Sequence, residues 1–162
     1  MGKKSEFWKE KVSDKEFLRL IEKRIRKYTR VNKIFSKGDN ILVTDALDEY
    51  FVKSITEKLH VKIYKRKGNV CLKVVKQWTA DDEINLFLKQ VFYSKKIKQK
   101  KFVKLLKVIT DKEASKFAKL KKIKFKPNKK DKLIHDFVDV MDKKYPDTKH
   151  KLIKSMEGLN DL

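Results

Sequence analysis

The runs Ile41–Val43, Val61–Tyr64 and Val70–Val75 are too short for helices. They stand among longer segments whose apolar residues recur at the helical spacing of about 3.6. Further short runs, Val103–Val108 and Ile123–Phe125, continue the pattern. A chain that alternates short strands with helices can bury both only as a sheet, mostly parallel, with helices on its two faces. The expected class is therefore α/β and Rossmann-like. The 162 residues suit one domain over 13–162, with residues 1–12 frayed.

The helices carry their own start signals. Ser13 with Glu16 and Thr110 with Glu113 read as capping boxes, and Thr79 as the cap of ADDEINLFLKQVFY. Phe17, Ile21, Ile25 and Tyr28 share one face of the first helix, widened by Leu18 and Leu20. Helices are expected over Asp48–Leu59, Leu133–Lys143 and Lys149–Leu159. VKIYKRKGNVCLKVV reads as two strands around Lys67–Asn69, and KGDN (Lys37–Asn40) as a turn.

Charge narrows the function. The chain has 44 Lys and Arg against 22 Asp and Glu, a net +22. Self-repulsion of that size calls for an anionic partner. Nucleic acid suits it better than a membrane, because the basic residues are spread over several elements and no apolar run reaches a membrane span. The chain reads as soluble and cytoplasmic. Its single cysteine, Cys71, sits in an apolar run and reads as a buried structural thiol. The three histidines are scattered, and no spacing indicates a metal or another cofactor.

Four of the five arginines fall on the first helix, opposite its apolar face: Arg19, Arg24, Arg26 and Arg30, with Lys23 and Lys27. Arginine is the better phosphate fork, so this face is a nucleic-acid candidate as well as a solvated surface. Further candidates are Lys96, Lys98, Lys100 and Lys101 in a charged loop, Lys121 and Lys122, and Lys129 and Lys130. Trp8 and Trp78 suit packing, or stacking on a base. A sequence-specific DNA reader is disfavoured by the lack of a turn that would place a reading helix.

Two stretches bring a family into view. KVVKQWTADDEINLFL resembles the strand-to-helix segment of PP-loop ATP pyrophosphatases that reads roughly GHNxDDxxETxL. VKLLKVITDKEASKFAKLKKIKF, followed by IHDFVDVMDKKYPDTKHKLIKSMEGL, resembles the C-terminal part of the tRNA 2-thiolation branch of that superfamily. The front end agrees in order, with a basic helix, KGD and an apolar strand, and the likeness runs over about residues 15–159.

The resemblance implies an adenine-nucleotide fold with an N-terminal basic helix and a C-terminal helix pair. It also implies losses. Where the family has SGGxDS, this chain has TDALDE (Thr44–Glu49), acidic and without glycine, so no backbone cradle for phosphate remains. Asp45, Asp48 and Glu49 then read as helix-start residues. The family's His-Asn is Trp78-Thr79, its cluster cysteines are missing, and Lys126 stands where one is expected. Asp45, Asp81 and Asp82 would be remnants of the nucleotide site, with Thr79-x-x-Asp82 also a plain capping signature. The implied role is that of the inactive partner in a two-subunit tRNA thiolase: a non-catalytic, cofactor-free tRNA-binding chain in a hetero-oligomer with an active PP-loop subunit. An alternative is a general RNA-binding or protein-interaction scaffold, for which apolar residues around Phe92, Tyr93 and Ile97 would supply a surface. An enzyme that still adenylates RNA would need a new phosphate loop, and the sequence offers none.

Overall fold

The computed structural model describes residues 12–98 and 101–160. Within them, helices α1 (Asp14–Val31), α2 (Ala46–Thr56), α3 (Ala80–Tyr93), α4 (Asp111–Lys121), α5 (Lys132–Lys144) and α6 (Thr148–Asn160) surround a three-stranded sheet. The strands are β1 (Asn40–Val43), β2 (Lys62–Tyr64) and β3 (Lys73–Val75). The order is β2-β1-β3 and every pairing is parallel. Ile41 lies opposite Ile63 on one side and Lys73 on the other, and Val43 pairs with Val75. The frayed segment expected at the N-terminus lies outside the described residues, except Val12, which packs on the core.

Two of the three caps form as full boxes, and Ser13 caps α1 without the reciprocal bond from Glu16 among the hydrogen bonds of the described residues. The Ser13 hydroxyl accepts from the Glu16 amide at 3.3 Å, and Thr79/Asp82 and Thr110/Glu113 each close a reciprocal box. The turn into β1 needs a left-handed residue, and Gly38 supplies it at φ +78°. Asp39 then accepts from Lys73 Nζ at 2.7 Å, which ties the turn to β3 and holds the Asp39 carboxyl below its ordinary pKa.

Two apolar clusters result. The larger joins α1 (Phe17, Ile21, Ile25), β1 (Ile41, Val43), α2 (Phe51, Val52) and α4 (Phe117). The smaller holds α3, α5 and α6 together through Ile84, Ile134, Val138, Ile153 and Met156.

Strands β2 and β3 each pair with β1, so the residues between them cross from one sheet edge to the other. Three expectations need correction. Val103 makes a single parallel bridge to Val75, after which Leu105–Val108 tightens into a 3-10 turn with Leu105 and Leu106 fully buried. Ile123–Phe125 is irregular. Cys71 is exposed, because β3 begins only at Lys73 and the apolar run before it lies outside the sheet.

Candidate nucleic-acid interface

Helix α1 turns Phe17, Ile21, Ile25 and Thr29 inward, and this leaves its basic residues on the outer surface. Against the C-terminal end of α2 that surface becomes the wall of an open groove of about 1000 Å³. Arg19, Lys23, Arg26, Lys27 and Arg30 line it from α1, joined by Lys33 and Lys58 from the following segments. Glu22 and Glu57 are the acids in its lining. Arg26 donates to the Ser54 hydroxyl at 2.6 Å, which fixes its guanidinium at the α2 side. Among the described residues no carboxylate pairs with Arg19, Lys23, Lys27, Arg30, Lys33 or Lys58. Glu22 is itself engaged, accepting from the Tyr50 hydroxyl at 2.7 Å and lying 3.5 Å from Lys121 Nζ.

Arg24 leaves this set. Its Nη1 donates to both carboxylate oxygens of Glu113, at 3.0 and 3.1 Å, and so binds α1 to the capping box of α4. Three and four residues along a helix return to one face, so Arg24 cannot share the face of Arg19, Arg26 and Arg30 while Ile21 and Ile25 are buried beside it. Lys130 is the second correction. Its side chain is 6% exposed, and Nζ lies 2.8 Å from Asp82 and 2.7 Å from Asp111. Burial works against its charged form, but Asp111 and Asp82 outweigh burial and hold the Lys130 pKa above the lysine norm.

The other lysines scatter. Lys96, Lys98, Lys101, Lys122 and Lys129 are exposed on separate segments, and Lys100 lies outside the described residues. Lys121 is drawn over the Tyr50 ring at 5.4 Å and toward Glu22. Trp78 donates its indole N–H to Glu83 at 2.6 Å and stacks edge-on with Phe102, so its role is packing; Trp8 lies outside the described residues. The groove was visible in the sequence as an arginine face. Lys33, Lys58 and the contribution of α2 were not, because they reach the groove only through tertiary packing.

A different environment occupies the carboxyl ends of the strands. β1 has a parallel neighbour on each side, and in α/β sheets such a switch point is where ligands bind. Here Asp45 occupies the N-cap position of α2 without capping it. Its carboxylate instead accepts from the backbone N–H of Gln77, just past β3, at 3.2 Å. Gln77 in turn donates to the Lys126 carbonyl, and its own carbonyl accepts from Asn128. Asp48 is fully buried, neither oxygen has a hydrogen-bond partner, and burial together with the nearby Asp45 raises its pKa to about 8. At neutral pH it is a protonated acid inside the first turn of α2.

The two other acids expected as remnants are also committed internally. Asp82 closes the α3 capping box and pairs with Lys130. Asp81 accepts from the Asp111 amide at 2.7 Å and pairs with buried Lys149 at 2.6 Å. Among the described residues no group of three or more His, Cys, Asp or Glu side chains is placed to hold a metal ion. No helix among them is long and apolar enough to cross a membrane.

No family model matches the sequence, and no curated protein matches it. A solved structure does match: the U34-tRNA thiolase NcsA from Methanococcus maripaludis, described with its [4Fe-4S] cluster. The similarity covers 90% of this chain and 79% of that one, with a TM-score of 0.65 and 13% identity. The chain shares the fold of a tRNA thiolase. The cluster does not fit this chain's residues, because such clusters are held by several thiolates and the sequence carries one exposed cysteine. ATP does not fit Thr44–Glu49 either: an anion would meet the Asp45 carboxylate, and the Gln77 amide beside it is already bonded.

Proposed function

We propose that this protein is a non-catalytic RNA-binding chain, with tRNA as its ligand, and that it supports tRNA 2-thiolation by an active PP-loop partner. The observation that carries this reading is the α1 groove, where seven cationic side chains converge and the acids present do not neutralise them. An A-form backbone is bound mainly through phosphates and shape, and such a surface suits it. The shared fold supports the link to tRNA modification. The acidic Thr44–Glu49 turn and the single cysteine support the loss of ATP and sulfur chemistry.

The test is equilibrium binding to tRNA and to duplex DNA of matched length across a salt series, with wild type and the triple variant Arg19→Glu, Arg26→Glu, Arg30→Glu. The variant should lose about ten- to hundredfold in tRNA affinity and show a shallower salt slope. Preference for tRNA over DNA should persist as salt rises. Unchanged tRNA affinity in the variant would remove the groove from the RNA surface. Loss of tRNA and DNA binding together near physiological salt would reduce the +22 to a general polyanion attraction.

A further inference from the structure

The smaller apolar cluster does not consume all the apolar residues of α3 and α5. Leu133, Phe137 and Val140 recur at helix spacing along one side of α5 and remain 67%, 47% and 63% exposed. Phe92, at the end of α3, packs edge-on against Phe137 with ring centroids 5.8 Å apart. Tyr93 donates to Asp131, the N-cap of α5, at 3.2 Å. The two helices therefore present one continuous stripe, when scattered single exposures are the ordinary case.

Its rim is basic. Lys89 precedes Phe92 by one helical turn, Lys132 flanks Leu133, and Lys144 lies one turn beyond Val140. All three are exposed, and among the described residues none pairs with a carboxylate. Of the acids nearby, Asp131 caps α5, and Asp136 stands exposed beside Phe137 with His135 at 3.7 Å, a single acid on a rim of three lysines.

We infer that the α3–α5 stripe is a docking surface for an acidic amphipathic helix of a partner protein. Anchors at positions i, i+4 and i+7 of α5 match the face of a helix laid against it, and flanking glutamates or aspartates would meet Lys89, Lys132 and Lys144. A second copy of this chain fits poorly, since it would press two lysine rims together in a molecule of net charge +22. RNA also fits poorly. Leu133 and Val140, the most exposed members of the stripe, have no ring to stack on a base, and Phe92 and Phe137 already engage each other. The inference stands apart from the RNA reading, because the stripe and the α1 groove lie on different helices.

The experiment uses the full chain and a synthetic helical peptide of about fifteen residues, with Leu and Phe at one face and Glu on both flanks. Two controls accompany it: the same peptide with Lys flanks, and one with Ser at the apolar positions. Binding is read by fluorescence anisotropy, and oligomeric state by sedimentation. The acidic peptide should bind below about 100 µM, and the Lys-flanked and Ser-substituted peptides at least about tenfold more weakly. Leu133→Ser with Phe137→Ser should weaken the acidic peptide by at least about tenfold without changing tRNA affinity. Lys89→Glu with Lys132→Glu should do the same, and serves if the apolar variant fails to fold. Equal binding of the acidic peptide to wild type and both variants would overturn the inference. Self-association of wild type abolished by the apolar pair would give the stripe to a second copy instead. Loss of tRNA binding in that variant would make it a nucleic-acid surface.

Discussion

The strand ends and the α1 groove are both rich in charge, and they handle it in opposite ways. At the strand ends the carboxylates of Asp81, Asp82 and Asp111 meet the ammonium groups of Lys130 and Lys149 inside the protein, all at 2.8 Å or less. In the groove Arg19, Lys23, Lys27 and Arg30 stand at the surface without carboxylate partners among the described residues. Charge that is internally matched and dry acts as structure, and removing one member leaves the other stranded. Charge left unmatched in water costs little to the fold and remains available to a ligand. The strand ends are thus part of the scaffold, and the surface of the first helix is the binding candidate.

The sharpest break of this contrast is Lys130→Met. It leaves buried Asp82 and half-buried Asp111 without their cation and should lower stability by about 3–5 kcal/mol, read as a shift of the urea midpoint. A loss below about 1 kcal/mol would mean the strand-end charges are solvated after all.

Asp48 gives the next effect. It stays protonated in the folded protein up to about pH 8, whereas its ordinary pKa is 3.8. Folding therefore retains a proton that the unfolded chain releases, and stability falls as pH rises through that window, at up to about 1.4 kcal/mol per unit. Asp48→Asn should flatten this dependence and raise stability near pH 8 relative to wild type. Parallel pH–stability curves for the two proteins would show that Asp48 does not titrate in this range.

The smallest effect belongs to the groove. Lys23→Met or Lys27→Met should change stability by no more than about 0.5 kcal/mol, with a slight gain at low salt from relieved repulsion. A large loss in either would turn the groove wall into structure and erase the comparison.

What could be read in advance followed from local physics. Ser13, Thr79 and Thr110 each announced a helix because a cap and its N3 partner lie within one turn. The arginine face was legible because the apolar face opposite it keeps the helical period. Lys130 was read as surface charge because Asp82 and Asp111 lie 48 and 19 positions away in sequence. Arg24 was misplaced for the same reason, since Glu113 is 89 residues distant. β2 and β3 were legible as two short apolar runs around Lys67–Asn69, but their common partner β1 was not, because strand pairing is set by tertiary packing. Asp48 was taken as a helix-start charge, but the folded chain buries it completely, which nothing in its local sequence announces.

The central place of β1 has a consequence for how the molecule comes into being. Its partners on both sides lie later in the chain, at Lys62–Tyr64 and Lys73–Val75, and the Val103 bridge follows later still. During synthesis Ile41–Val43 must wait with both backbone edges open until residue 64 has emerged, and with one edge open until residue 75, while α1 needs only its own local bonds. The strand that organises the finished sheet is therefore the last of the early segments to find its neighbours, and that waiting interval is when the nascent chain is most open to mispairing.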